Sequence, residues 1–261
     1  MSALVATCER PASAVVLEPT TPGCLVLAYH RVAPLWNFSL DPREGPIVGS
    51  DDFTTDVDAF AEQIRLLKAS GIRFVKPLEL ERIIRQKEVP RERCVLVTFD
   101  DGDVSQYEHA YPILKREQIP FTLFLISGHV GHERFNGLRM LDWDQVREML
   151  SSGLATIGSH THDMHSRGSS GQPLFLEPEN TKRFAADVRI SIATITRETG
   201  VSPQYFAYPY GFGSPETDEL ALKEGLRLLF TLRPGIASTG DQAFYVKRLL
   251  VTRSNWNMAA Q

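Results

Sequence analysis

Two stretches of the chain set chemically capable side chains directly after apolar runs. In VLVTFDDG, residues 95–102, a β-prone segment drives into the adjacent carboxylates Asp100 and Asp101. Neighbouring carboxylates repel each other, and unless both are fully solvated a positive charge belongs nearby. In IGSHTHDMHS, residues 157–166, three of the seven histidines (His160, His162 and His165) fall within six positions. Neutral imidazoles and carboxylates together suit zinc and similar divalent ions. A cation bound to one aspartate offsets the repulsion and leaves the other free as a base. Alone, DDG reads as a solvated turn and HTHDMH as an exposed loop. Their joint occurrence after apolar runs favours metal chemistry. His160 and His165 are five apart, so they do not share a face of a regular helix as the two histidines of an H-E-x-x-H pair do. They fit a strand end followed by a loop.

The elements that must position these residues alternate. CLVLAYH is a strand ending in His30, and a long loop with three prolines follows. Val57, Phe60, Ile64 and Leu67 share one face of a helix closed near Gly71. RFVKP predicts a strand, LELERIIRQK a helix, and CVLVTFDD the next strand. YEHAYPILKREQ predicts a helix that Pro112 kinks or delays. FTLFLIS, ATIGSH, YFAYPYG, LRLLFTL and KRLLVTR predict further strands. Between them lie a helix capped by Asp142, a long helix opening at Asn180 or Thr181, and a helix with Pro215 in its first turn. Strands alternating with helices predict a mostly parallel sheet. His30, Asp100, Asp101, Ser127, His160 and the YPYG stretch all fall at C-terminal strand ends, and a β/α barrel gathers such ends around one pocket.

At 261 residues with 43% hydrophobic content, the chain suits one large α/β unit. The net charge of −4 carries no basic footprint, so no nucleic-acid partner is expected. Cys24 and Cys94 read as buried, reduced strand residues. With Cys8 they make an odd, sparse count that leans towards a reducing compartment. Residues 1–23 read as a poorly ordered lead-in with no signal peptide or transmembrane segment, which gives a cytoplasmic expectation, envelope association remaining open. The oligomeric state is left open.

TFDDG, then SHTHDMH, then FAYPYG, in this order, resemble the polysaccharide deacetylases of carbohydrate esterase family 4, the NodB-homology domain. The likeness runs over residues 25–256. AYPILK, FLIS, LDWDQVREM and YFAYPYG are similar to the branch that deacetylates poly-N-acetylglucosamine. The resemblance implies a distorted (β/α)7 barrel occupying residues 24–261. It implies Asp100 as catalytic base and Asp101, His160 and His165 as ligands of a divalent metal, zinc first, with cobalt or nickel as alternatives. His162 is then the spare. A metal-activated water attacks the acetyl carbonyl, and the backbone N–H of Tyr210 stabilises the oxyanion.

The sequence departs from the family pattern twice. Ala207 stands where motif three usually opens with an arginine, and Arg248 or Arg253 is the candidate replacement. No histidine follows His165 to serve as general acid. A first strand can occupy the same place in a closed ring, so His30 is proposed for that role, against a structural role bonding the loop after it. Trp36, Trp143 and Trp256 are candidate sugar platforms, Trp143 alternatively core. His109, His129 and His132 read as surface or loop, and Asp103 and Glu108 as solvated. The expected function is hydrolytic removal of N-acetyl groups from N-acetylhexosamine units of a polysaccharide or glycolipid. The alternatives are a small-molecule amidohydrolase and a carbohydrate-binding pseudoenzyme.

Overall fold

The computed structural model describes residues 23–34 and 53–252. Cys8, Trp36, Trp256, Arg253 and residues 1–22 of the lead-in lie outside them. The strands are β1 (Cys24–Tyr29), β2 (Arg31–Val32), β3 (Thr54–Thr55), β4 (Arg73–Phe74), β5 (Cys94–Phe99), β6 (Phe121–Leu125), β7 (Ala155–Ser159), β8 (Tyr205–Ala207), β9 (Leu228–Phe230), β10 (Ile236–Ala237) and β11 (Leu249–Leu250); all lie in the expected runs except the two-residue β2, β3 and β10, which the sequence did not announce. The helices are α1 (Val57–Ala69), α2 (Pro77–Arg85), α3 (Tyr111–Glu117), α4 (Trp143–Ser151), α5 (Thr181–Thr199) and α6 (Pro215–Lys223).

Local chemistry sets the helix ends where the sequence placed them. Asp142 caps α4 by accepting the Gln145 N–H, and the Gln145 side chain answers on the Asp142 N–H. Ser214 makes the corresponding box with Thr217 at the start of α6, with Pro215 in the first turn. Asn180 precedes α5 without a side-chain capping bond. Pro112 delays α3, and the turn before it, Gln106–Ala110, is π-helical.

The sheet runs β10-β1-β5-β6-β7-β8-β9, with β11 also on β1 and β4 on β5. Every pairing in it is parallel except β10 against β1. Val246 bridges to Phe230 of β9, and four residues later Leu250 pairs with Ala28 of β1. The segment 246–250 therefore connects the two ends of the curled sheet. This is the distorted (β/α)7 barrel the motifs implied.

Side chains alternate along the strands. Leu25, Leu27 and Tyr29 of β1 face Phe60 and Ile64 of α1, while Cys24 and Val26 pack with Leu96, Phe124 and Phe230. Phe206 and Leu229 meet Phe184 and Val188 of α5 and Ala221 of α6. β1 and β5 are in register from Cys24 opposite Cys94 to Tyr29 opposite Phe99. That register brings His30 and Asp100, the next residue on each strand, side by side.

The same register corrects the reading of the cysteines. Cys24 and Cys94 are buried as expected, but they form a disulfide, with Cα atoms 4.4 Å apart and 70 residues between them in sequence. An odd count concealed the pair, because the third cysteine lies in the lead-in.

Candidate metal centre and catalytic site

β5 delivers both aspartates. Asp101 adopts φ 74° and Gly102 φ 90°, so the chain reverses sharply at the strand end. A left-handed backbone at a non-glycine residue persists only where its surroundings enforce it. The turn aims Asp101 across the barrel mouth at the end of β7. Its Oδ1 lies 3.4 Å from His160 Nε2 and 3.3 Å from His165 Nε2. The donor atoms of this trio all lie within 4.8 Å of one another, and among the described residues no other such cluster occurs.

The trio suits a cation. Tetrahedral coordination at the usual zinc distances puts neighbouring donors about 3.4 Å apart. His160 Nδ1 lies 2.7 Å from the Ala207 carbonyl. That contact fixes the proton on Nδ1 and leaves the Nε2 lone pair free to bind a metal, as the backbone bond behind a metal-binding histidine commonly does. Asp101 Oδ1 is buried and has no hydrogen-bond partner. Burial opposes ionisation of Asp101, but His165 and His160 hold its carboxyl well below the usual range. A negative oxygen between two imidazoles is a place for positive charge.

His162 stands apart from the trio. Its Nδ1 lies 3.0 Å from the Ser127 hydroxyl, behind the ligands rather than among them.

Asp100 is paired with the cation that its neighbour's charge called for. Arg248 is fully buried and binds both carboxylate oxygens at 2.7 Å. Its Nε also donates to the Thr231 carbonyl at 3.0 Å, which fixes the guanidinium plane. Burial would raise the Asp100 carboxyl, but Arg248 first and His160 next hold it below its ordinary value. Of the two candidates to replace the missing arginine, Arg248 is the one the described residues contain, and it pairs with Asp100. It arrives from the segment that joins the sheet ends.

His30 borders the same centre. It is half-buried, with its ring 5.2 Å from that of Phe53, and its Nδ1 has no hydrogen-bond partner. Burial pushes its pKa down, while Asp101 and Asp100 pull it up. Gln106, buried in the π-helical turn, donates its amide to the His30 carbonyl at 2.8 Å and to the Asp100 carbonyl at 2.7 Å. One side chain thus ties together the strand ends that carry both residues. Tyr210 has φ 62°. Its ring lies 5.0 Å from that of His165, and the Arg167 guanidinium sits 4.3 Å from the Tyr210 ring centre.

The remaining expectations divide. Trp143 is half-buried against the α1–α3–α4 side of the core, which is the core reading. His132 is exposed, and half-buried His129 contacts Asp163 at 2.7 Å. Glu108 is exposed beside Arg139. Asp103, expected to be solvated, is instead buried, accepting the Ser105 N–H at 2.9 Å with Arg31 3.9 Å away. It folds under the turn because Gly102 reverses the chain. Gln106 and two residues of α5, Asp187 and Ser191, escaped the sequence reading. Isolated polar residues in helical stretches look solvated until the packing partner is known.

The polysaccharide deacetylase family model matches residues 87–229. A solved structure titled as IcaB from Ammonifex degensii superimposes with TM-score 0.81 at 39% identity, covering 92% of this chain and 96% of that one. Poly-β-1,6-N-acetyl-D-glucosamine N-deacetylases of Staphylococcus aureus and Staphylococcus epidermidis are 31% and 32% identical, each over 88% of this chain and 79% of the relative.

Proposed function

The chain belongs to the polysaccharide deacetylase family and is a hydrolase of that class, and from that premise we propose that it removes N-acetyl groups from poly-N-acetylglucosamine. The observation that carries the reading is the meeting of three groups at one barrel mouth: the Asp101, His160 and His165 donors, the Asp100–Arg248 pair, and His30. The named activity of the staphylococcal relatives supports the choice of polymer.

The site divides the labour of amide hydrolysis. A divalent ion, zinc first, held by Asp101, His160 and His165 would supply Lewis acidity to water and to the acetyl carbonyl. Asp100 accepts the proton of the attacking water, and Arg248 keeps its carboxylate ionised and oriented. The Tyr210 N–H donates to the oxyanion that develops on the carbonyl carbon's oxygen. An amide nitrogen leaves only when protonated, and His30 delivers that proton. As negative charge grows on the substrate, the proton affinity of the nearby imidazole rises, offsetting the depression by burial. Acetate and the free amine depart, and solvent restores both protonation states.

Among the described residues no helix is long and apolar enough to cross a membrane. The Cys24–Cys94 disulfide removes the cysteine argument for a reducing compartment, and such bonds persist in oxidising ones. The proposal therefore places the enzyme where an exported polymer would be met.

The test is acetate release from β-1,6-linked N-acetylglucosamine oligomers by chelator-stripped protein, with and without zinc or cobalt, beside Asp100→Asn and His30→Ala. Metal-dependent release, abolished in Asp100→Asn and reduced about 10²–10⁴-fold in His30→Ala, is expected. A His30→Ala enzyme with full kcat and bound metal would return His30 to a structural role. Absence of release from any N-acetylglucosamine polymer would overturn the substrate.

A further inference from the structure

The two histidine ligands are separated by four residues, and the first of these is held in a strained shape. Thr161 has φ 75°, a left-handed backbone at a β-branched residue. Such a conformation is a genuine outlier and requires surroundings that over-determine it. They are present, and most come from one helix. Asp187 of α5 accepts the His162 N–H on Oδ1 at 2.6 Å and the Asp163 N–H on Oδ2 at 2.8 Å. Ser191, four residues later and so on the same helical face, donates to the Thr161 carbonyl at 3.3 Å. Ser191 also receives the Ser127 hydroxyl at 2.9 Å and contacts the Ser159 hydroxyl at 2.7 Å. The Ser127 and Gly128 N–H groups donate to the Thr161 and His162 carbonyls at 3.1 and 3.0 Å. Asp187 and Ser191 are both buried.

A buried carboxylate is costly to keep, and a solvated helix face would not need one. Two successive N–H groups pointing at one side chain do need it. A carboxylate offers two acceptor oxygens, whereas an amide offers one and would set its NH2 against the second N–H. We propose that Asp187, assisted by Ser191, is a positioning residue for metal binding: it fixes residues 161–163 in the one shape that holds His160 and His165 at ligand separation. The inference rests on the metal reading of the Asp101, His160 and His165 trio and adds α5 to the machinery that sets its affinity.

The experiment measures zinc affinity by competition with a chromophoric chelator, and the visible spectrum of the cobalt form, for Asp187→Asn, Ser191→Ala and the parent protein. Melting of each metal-free protein is recorded separately. Asp218→Asn is the control, since Asp218, on α6, accepts the Tyr208 hydroxyl and makes none of the bonds that hold residues 161–163. Asp187→Asn is expected to weaken zinc about 10–100-fold and to alter the cobalt spectrum. Ser191→Ala is expected to weaken zinc to a smaller extent, and Asp218→Asn to lower the melting temperature alone. An Asp187→Asn protein that melts lower but binds zinc with parental affinity and an unchanged cobalt spectrum would reduce Asp187 to a stabilising residue and overturn the proposal. If Asp187→Asn does not fold, unchanged zinc affinity in Ser191→Ala overturns it instead. A parent chain that binds no zinc or cobalt refutes the metal reading itself, and this inference with it.

Discussion

Replacing Arg248 with methionine keeps the bulk of the side chain and removes its charge. In the parent fold the guanidinium is fully buried and makes two 2.7 Å bonds to the Asp100 carboxylate. It makes further bonds to the Thr231 carbonyl at 3.0 Å and the Thr98 hydroxyl at 3.2 Å. Removing one partner of a buried ion pair leaves an uncompensated charge and costs about 3–5 kcal/mol. For a chain of this size each kcal/mol moves the melting temperature by about 2–4 °C, so a fall on the order of 10 °C is expected. The pH dependence follows from the direction of the Asp100 shift. Its folded pKa lies below the ordinary carboxylate value, so its contribution to stability is present above that value and lost as pH falls through the folded pKa. Without Arg248, burial is left as the largest influence and raises the pKa. The contribution then changes sign, and the acid limb of kcat/KM moves to higher pH. The assays are thermal melting of the metal-free protein and kcat/KM against pH. The double variant Arg248→Met with Asp100→Asn should lose less stability than the two single variants added together, because it leaves no charge stranded. A melting temperature within about 2 °C of the parent's, the shift that a surface substitution of roughly 0.5 kcal/mol would give, together with an unmoved acid limb, would refute the reasoning.

Gln106→Leu should lower kcat with little change in zinc affinity, because it frees the His30 and Asp100 strand ends from their shared amide but touches none of the three donors; a parallel loss of metal would point instead to collapse of the β5 turn. The paired replacement Cys24→Ala and Cys94→Ala should destabilise the fold by about 4 kcal/mol in the loop-entropy account, given 70 residues of separation. Thiol titration of the denatured, unreduced chain should find one free thiol, that of Cys8; three would exclude the disulfide. Gly158→Ala should destabilise by about 1–3 kcal/mol as judged by urea unfolding, because the added methyl runs into the Phe124 ring and approaches the Tyr205 carbonyl to 2.9 Å.

The strand ends could be read in the sequence because the signals there are local. Apolar runs of five or six residues end directly in Asp100 and His160, and their alternation with helices requires parallel pairing. Asp142 and Pro215 marked helix starts through short-range bonds that their own neighbours supply. The features that escaped depend on contacts between distant segments. Cys24 and Cys94 meet only because β1 and β5 align at those residues, and no count of cysteines contains that register. Asp103 is polar and follows a glycine, which reads as a solvated turn; its burial depends on how sharply Gly102 turns the chain. Arg248 could be proposed from the gap at Ala207, but the sequence could not rank it against Arg253. Asp187 and Ser191 sit in a helix whose inward face was set by its apolar residues, and their purpose appears only once the 161–163 loop lies against them.

The segment 246–250 orders events in time as well as space. A ribosome that has delivered β9 has already supplied His30, both aspartates and both histidines, yet not the arginine that neutralises Asp100. Until residue 248 emerges, the nascent barrel carries a buried carboxylate with no counter-charge and a sheet whose first and last strands are unjoined, separated by some two hundred residues of chain. Ring closure and the charge that neutralises Asp100 are thus delivered together, by one short segment that is the last of the sheet to be made.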